Sequence, residues 1–198
     1  MKKLFLIAVM MLTGMGLQAQ NTTIYPRLGV NFSKIDDKVY TSEMDDHYIT
    51  PSYKVGLTAG FEVEQLLANN FGASLGLLYS WQGNRWPKYE EMPGNTIHLH
   101  YLNIPIMLIG YVGNTGLSLK AGFQVGWLLA ARSQGVNVKS NYRDIDLSIP
   151  IGICYEFNRF CIDLRYHIGI SKPYQDLPNV EMPKTHTKCF QLTLGYAI

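Results

Sequence analysis

Charged side chains stand at alternate positions within apolar, strand-like stretches of the sequence. In "FCIDLRYHI", Asp163 and Arg165 alternate with Ile162 and Leu164. Because successive side chains of a β-strand point to opposite faces, this spacing places the carboxylate and the guanidinium on one face and the apolar residues on the other. Opposite charges on a shared face can form ion pairs or line a path for ions. The residues with this pattern are Lys54, Glu62, Glu64, Lys120, Asp146, Glu156, Asp163 and Arg165.

These charges favour an enclosed lumen over a lipid face or an apolar core, where charges in the middle of a strand are costly. One interpretation is a charged permeation path. The other is a closed network of ion pairs and hydrogen bonds, since a barrel of eight strands is only wide enough for its own side chains. We predict the closed network. Glycines on the same face keep a narrow channel as the alternative.

Catalysis would need a nucleophile, a base within hydrogen-bond reach and an orienting acid. Ser171, His167 and Asp163 supply these residue types. All three fall on the predicted lumen-facing row or at its mouth, away from any lipid substrate. We therefore predict no enzymatic activity and keep a lipid-modifying enzyme as the third hypothesis, after the channel.

The segment "HLHYL" contains two histidines that could bind a metal together. His98 and His100 lie two positions apart and share one face of a strand. Stable zinc sites use three or four ligands, and neither cysteine nor carboxylate stands nearby in the sequence. Surface or interface histidines are the favoured interpretation, and we predict neither a metal nor another cofactor.

The three cysteines leave two states open. Cys154 and Cys161 flank a tight turn and are expected to lie diagonally on neighbouring strands, whereas Cys189 falls near the opposite end. Diagonal neighbours are often too far apart for a disulfide. Three reduced, buried thiols are therefore the favoured state over a Cys154–Cys161 bridge with Cys189 free.

The first 19 residues read as a secretory signal peptide. Lys2 and Lys3 precede an apolar run over residues 4–17, which is too short and too rich in glycine for a membrane-spanning helix. Removing them leaves 15 basic residues (17 minus Lys2 and Lys3) against 15 acidic ones. This neutral balance argues against a nucleic-acid partner. Residues 20–198 form one predicted domain.

That domain divides into eight alternating segments. In "GLSLKAGFQVGW", every second residue from Leu117 to Trp127 is apolar, and Lys120 and Gln124 stand between them. Several segments have about 10 residues or more, as a tilted membrane strand requires. The segments are residues 24–33, 53–64, 71–81, 98–112, 116–131, 143–157, 159–170 and 188–198.

Short and long connections alternate between the segments. "QLLANN", "GNT" and Asn158-Arg159 are short, and the other four links are long and polar. In an up-and-down barrel this alternation gathers all tight turns at one end, as in outer-membrane barrels with short periplasmic turns and long extracellular loops. We predict an all-β, OmpA/OmpX-like transmembrane barrel of eight antiparallel strands, with both termini in the periplasm.

Long loops on a rigid scaffold are where binding usually takes place. The loop "NRWPKYEEMPGN" contains Trp86 and Tyr89, whose aromatic rings are candidate contacts for a partner. The expected role is structural or interactive, through these loops or one barrel face.

Several strand motifs resemble the PorT-like outer-membrane β-barrel proteins of the Bacteroidetes. They are "LGVNFSKI", "VGLTAGFEVE", "GASLGLLYSWQG", "YLNIPIMLIGYV", "LSLKAGFQVGWLLAA", "IGICYEFNRFCIDLRYHIGIS" and "FQLTLGYAI". This resemblance implies a small barrel in the outer membrane of a Gram-negative bacterium, without a catalytic signature. The expected partners are outer-membrane lipid, the barrel-insertion machinery during assembly and another envelope protein. The final aromatic residue that is usual in an outer-membrane insertion signal is absent: Ile198 is the last residue, and Tyr196 stands two positions before it.

Overall fold

Eleven β-strands and one short 3-10 helix make up the described part of the chain. The computed structural model describes residues 21–36, 39–40, 48–88, 93–175 and 185–198, so the predicted signal peptide lies outside the described residues. The strands are β1 (Thr22–Ile35), β2 (Val39–Tyr40), β3 (Tyr48–Ile49), β4 (Ser52–Ala68), β5 (Phe71–Trp86), β6 (Asn95–Tyr111), β7 (Leu117–Ser133), β8 (Val136–Asn137), β9 (Ile145–Phe157), β10 (Phe160–Gly169) and β11 (Thr187–Tyr196); the 3-10 helix is Lys139–Asn141.

Eight of these strands close into an antiparallel barrel. The order around it is β1, β4, β5, β6, β7, β9, β10 and β11, and β11 pairs with β1 to complete the ring. Arg27 of β1, for example, stands opposite Gly195 of β11 and Gly60 of β4. β2 and β3 form a separate two-stranded ladder, and β8 pairs with the end of β7. The predicted eight-stranded up-and-down fold is confirmed.

The strands reach further than the sequence pattern predicts at one end. β5 continues to Trp86 and β6 begins at Asn95, and these two residues are partners in the ladder. The predicted segments ended at 81 and began at 98, because polar residues interrupt the alternation there. Backbone hydrogen bonding between adjacent strands continues past the point where side-chain alternation stops.

Tight turns gather at the other end of the barrel. Asn69–Asn70 joins β4 to β5, residues 112–116 join β6 to β7, and Asn158–Arg159 joins β9 to β10. Asn158 adopts a positive φ of 56°, which asparagine tolerates better than most residues. This end is called the short-turn end below, and the opposite end the long-loop end.

Side chains alternate between an apolar outer face and a polar inner face. In β7, Leu119 and Phe123 are 57% and 67% exposed, while Lys120 between them is 2% exposed. The other strands repeat this pattern, so that a belt of leucine, isoleucine, valine and aromatic side chains surrounds the barrel. Among the residues that the structure describes, no helix is long and apolar enough to cross a membrane.

Aromatic rings form a chain around part of the short-turn end. Tyr155 contacts Phe157 with ring centroids 6.2 Å apart, Phe157 contacts Phe160 at 5.8 Å, and Phe160 contacts Tyr196 at 5.2 Å. Amphipathic aromatic rings at this level are typical of the boundary between a hydrocarbon layer and headgroups.

A disulfide joins Cys154 to Cys161, and the expectation of three reduced thiols is wrong. Cys154 stands opposite Asp163 and Cys161 opposite Glu156, so the two cysteines are diagonal neighbours as predicted. Their Cα atoms are 6.3 Å apart, which is within the range that a disulfide spans. Cys189 is buried and free, as expected for the bridged state.

We expect a charge on the exposed belt to destabilise the barrel according to its depth. Leu164, in the middle of β10, is 48% exposed, and Ile145, at the long-loop end of β9, is 57% exposed. Leu164→Arg should lower the free energy of unfolding by about 2–4 kcal/mol in lipid vesicles, and Ile145→Arg by less than about 1 kcal/mol. Equilibrium urea unfolding measures both. Equal losses at the two depths would contradict a lipid-facing belt.

Candidate functional site

Six charged side chains meet inside the barrel and form what we call the ion-pair cluster. They project from four strands, and each side chain is between 0% and 8% exposed. The members are Arg27 of β1, Glu62 and Glu64 of β4, Lys120 of β7, and Asp163 and Arg165 of β10.

Arg165 is held by two carboxylates. Its Nε donates to Asp163 Oδ1 at 2.7 Å, and its Nη2 donates to Asp163 Oδ2 at 2.7 Å and to Glu62 Oε2 at 2.6 Å. This is the bidentate geometry in which guanidinium–carboxylate hydrogen bonds are strongest. The contact also joins β10 to β4 across the lumen.

Arg27 contacts all three carboxylates of the cluster. Its Nη2 donates to Glu64 Oε1 at 2.9 Å, and its Nη1 lies 3.3 Å from Asp163 Oδ2. Its Nε lies 2.9 Å from Glu62 Oε2, close enough for an ion pair although not aligned for a hydrogen bond. Arg27 is therefore the residue that connects the cluster.

Lys120 completes the charge balance. Its Nζ pairs with Glu64 and lies 3.3 Å from Asp163 Oδ2. Ser74 also contributes a hydrogen bond, from its Oγ to Glu62 Oε1 at 2.7 Å. Three cations and three carboxylates give the cluster no net formal charge, so each buried charge has a counter-charge that offsets its desolvation.

The structure brings together Glu62, Glu64, Lys120, Asp163 and Arg165 from the predicted inner-face charges and places the other three elsewhere. Asp146 accepts a hydrogen bond from Ser171 Oγ at 2.7 Å near the long-loop end. Glu156 lines a cavity at the short-turn end. The third, Lys54, forms no ion pair with any described residue, and its Nζ lies 4.1 Å from the centroid of the Trp81 ring.

Arg27 was not among the residues predicted from the sequence, although the residue spacing in β1 places it on the inner face. Tyr25, Arg27, Gly29, Asn31 and Ser33 occupy every second position of β1 and form its inner row. Their sizes and polarity differ so much that the row is not obvious as one face. Arg27 is nevertheless only 3% exposed.

Different features border the cluster at the two ends of the lumen. A cavity of about 370 Å³ opens at the short-turn end, and Tyr25, Glu64, Tyr111 and Glu156 are among its lining residues. Towards the long-loop end, buried apolar side chains pack together, with Tyr142 from the β8–β9 connection among them. That apolar group comprises Ile35, Leu99, Tyr101, Leu128, Ala131 and Tyr142.

The candidate catalytic residues are held in separate contacts. Asp163 belongs to the ion-pair cluster, and Ser171 Oγ donates to Asp146 rather than to a histidine. His167 is 5% exposed, and neither of its ring nitrogens has a hydrogen-bond partner among the described residues. The described chain thus contains no hydrogen-bonded Ser–His–Asp arrangement of these three residues.

The two histidines of β6 lie in an aromatic patch on the outer face. His100 Nδ1 lies 2.6 Å from the Tyr79 hydroxyl, and the Trp81 ring stacks on His100 with centroids 6.0 Å apart. Within the described ranges, the one group of three potential metal ligands is Cys154, Cys161 and Asp163, and its two cysteines are joined in the disulfide.

Trp86 and a group of charged side chains around Asp36 lie at the long-loop end. Trp86 is partly exposed at the end of β5, and Tyr89 lies outside the described residues. On the rim, Lys188 Nζ donates to Asp36 Oδ2 at 2.6 Å, and this hydrogen bond lowers the pKa of the Asp36 carboxyl. Lys34 Nζ lies 3.4 Å from the other oxygen of the same carboxylate.

We expect the ion-pair cluster to tolerate the loss of one partner poorly. Arg165→Met removes a positive charge that offsets the buried carboxylates of Glu62 and Asp163. It should lower the free energy of unfolding by about 3–5 kcal/mol. Lys139→Met is the control, because Lys139 forms an exposed pair with Asp144 and should cost less than about 1 kcal/mol. Urea unfolding followed by tryptophan fluorescence compares them, and equal costs would show that the cluster is not a coupled unit.

One family of known proteins matches most of this chain. A sequence model described as "Outer membrane protein beta-barrel domain" matches residues 18–175, more than half of the chain. A search of curated proteins found no match.

Solved structures similar to this chain include Ail, the attachment invasion locus protein of Yersinia pestis, at 14% identity over 90% of this chain and 99% of Ail, with a TM-score of 0.47. Outer Membrane Protein W of E. coli is 13% identical over 90% of this chain and 98% of its own, with a TM-score of 0.43. Neisserial surface protein A is 13% identical over 88% of this chain and 96% of its own, with a TM-score of 0.47. From the family match, the chain belongs to the outer membrane protein β-barrel domain family.

Proposed function

We propose that this chain is a closed, non-enzymatic outer-membrane barrel that acts through its long loops or its outer face. The observation that carries the proposal is the ion-pair cluster, in which Arg27 alone contacts three carboxylates from two other strands. A solute crossing the lumen would have to separate these pairs. Because each buried charge would then lose its counter-charge, the cost of opening is large.

The width of the barrel supports the same conclusion. Eight strands enclose an interior that side chains can fill completely. Here Lys120 and Asp163 meet from strands that are not neighbours, which places their side chains across the interior. The apolar group around Leu128 and Tyr142 adds a second layer nearer the long-loop end. A solute crossing the described part of the lumen would have to pass both layers.

A narrow channel for small solutes is the alternative. It is favoured by buried polar atoms that have no partner among the described residues, such as Nδ2 and Oδ1 of Asn84 and Nδ2 of Asn103. Such atoms normally hydrogen bond to protein groups or ordered water. A lipid-modifying enzyme is the third hypothesis, and it receives no support from the separated contacts of His167 and Ser171.

The orientation and subgroup of the barrel are further parts of the proposal. The tight turns at one end favour a periplasmic short-turn end and extracellular long loops, with residues 1–19 as a removed signal peptide. The strand motifs favour the PorT-like subgroup and a Bacteroidetes source. Outer-membrane lipid would contact the exposed belt, the barrel-insertion machinery would assemble the strands, and another envelope protein would bind the loops.

We expect refolded wild-type protein to show no steady conductance in planar bilayers. Replacing Arg27, Glu62 and Arg165 together with alanine removes the main cross-lumen contacts and should produce resolvable ion current. Replacing Lys139 and Asp144, an exposed pair at the long-loop end, with alanine is the control and should leave the bilayer silent. A steady current through the wild-type protein that is insensitive to the cluster would support the channel instead.

We expect the loops to contribute to partner binding through Trp86. Trp86→Ala should reduce the amount of an envelope protein that co-purifies stoichiometrically after gentle extraction from native outer membranes, because aromatic side chains often anchor interfaces. Val136→Ala is the control, since Val136 is another apolar residue at the long-loop end and is 64% exposed. Native mass spectrometry gives the stoichiometry. If the Trp86 variant co-purifies with the same amount of the envelope protein, Trp86 is not part of the interface.

A further inference from the structure

Lys54 is a buried cation that the ion-pair cluster does not use. The residue is 6% exposed, and its Nζ has no hydrogen-bond partner among the described residues. The six cluster charges already balance one another, so Lys54 adds a positive charge that has no counter-charge among the described residues. Burying an ammonium group without a counter-charge is costly, and an anionic ligand would offset that cost.

Lys54 lies against a patch of aromatic rings with unused hydrogen-bonding atoms. Its Nζ is 4.1 Å from the centroid of the Trp81 ring, a distance typical of a cation–π contact. Trp81 faces His98 with ring centroids 5.4 Å apart. Trp81 Nε1 and His98 Nδ1 also have no partner in the described part of the chain. His100, by contrast, is bonded to the Tyr79 hydroxyl.

The backbone of β4 and β5 makes room for this arrangement. The pairing of the two strands shifts between Tyr53 and Thr58, next to Lys54. Gly83 in the facing strand has a φ of 141°, and a Cβ there would lie 3.1 Å from Lys54 Cδ. The same Cβ would lie 1.9 Å from the Ile97 carbonyl oxygen. Glycine at 83 therefore leaves space for the lysine stem.

The three atoms without a hydrogen-bond partner are chiefly donors, and the charged side chains described beside them are positive. Lys54 Nζ offers three N–H groups and Trp81 Nε1 offers one, while His98 Nδ1 can donate in one of its tautomers. Arg132 stands opposite His98 in the β6–β7 ladder and is exposed, which adds a second positive charge at the edge of the patch. A ligand with several acceptor oxygens and negative charge matches this set.

We propose that Lys54, Trp81 and His98 bind a phosphate group, with Arg132 at its exposed edge. Phosphate presents several strong acceptor oxygens in different directions, whereas a carboxylate presents two in one plane. Lys54 Nζ, Trp81 Nε1 and His98 Nδ1 are all shielded from solvent. The rings of Trp81 and His98 are partly exposed, and we expect phosphate to reach these atoms when the rings move. The rings of Trp81 and His98 lie on the outer face of the barrel, so the phosphate can come from a lipid headgroup or from solution.

The test uses the full mature chain in uncharged maltoside micelles with two probes, inorganic phosphate and phosphatidic acid. Trp81 fluorescence in a W86F/W127F background follows ring movement, and native mass spectrometry counts retained lipid. Lys54→Met should weaken binding of the effective probe about tenfold or more. Lys54→Arg should restore most of it, and Lys139→Met, at an exposed lysine of the same end, should change nothing.

The two probes separate the two sources of phosphate. Loss of phosphatidic acid binding alone in Lys54→Met identifies a lipid headgroup, and loss of inorganic phosphate binding identifies phosphate from solution. If Lys54→Met fails to fold, Trp81→Phe removes the indole N–H group while keeping a six-membered aromatic ring, and should weaken lipid retention. Binding of both probes that is equal in wild type and in the folded variants would overturn the proposal, as would the absence of binding to wild type.

Discussion

The interior of this barrel depends on the pairing of three buried cations with three buried carboxylates. An eight-stranded barrel must fill its lumen with its own side chains, and on this chain many of those side chains are charged. Arg165 and Arg27 each contact carboxylates from more than one strand. Ion pairs therefore connect the strands across the lumen, in addition to the backbone hydrogen bonds between neighbouring strands. Removing one charged side chain leaves its partners buried in a low-dielectric environment without their full counter-charge.

In the function proposed above, a closed lumen leaves the outer face and the long loops as the surfaces available for binding. The outer face carries apolar side chains along its middle and aromatic rings near its ends, so it is suited to lipid. The long-loop end carries Trp86, the contacts of Lys34 and Lys188 with Asp36, and the aromatic patch around Lys54. A rigid, closed scaffold that displays such groups at one end suits a role in binding, in which the barrel holds the loops rather than conducting solutes.

The fold could be predicted from the sequence because alternation and loop length are local signals. Asp163 and Arg165 were predicted correctly to share the inner face, since that follows from a period of two. Their partners were harder to predict, because contacts across a lumen depend on how far the strands are shifted. Arg27 was missed because the inner row of β1 mixes residues of very different size and polarity and so does not stand out as one face. Lys54 has the inner-face spacing, yet a shift in the β4–β5 pairing and the space at Gly83 place its ammonium beside Trp81.

The exchange of the Arg165 guanidinium protons with water tests the closed lumen most directly. Nitrogen-15 NMR of the protein in lipid nanodiscs can compare Arg165 with Arg159, which is exposed in a tight turn. Because Arg165 Nε donates to Asp163 and the side chain is fully buried, its Nε–H should give a separate signal that exchanges much more slowly than that of Arg159. Exchange at the same rate for both arginines would contradict a dry ion-pair cluster and favour a hydrated, open lumen.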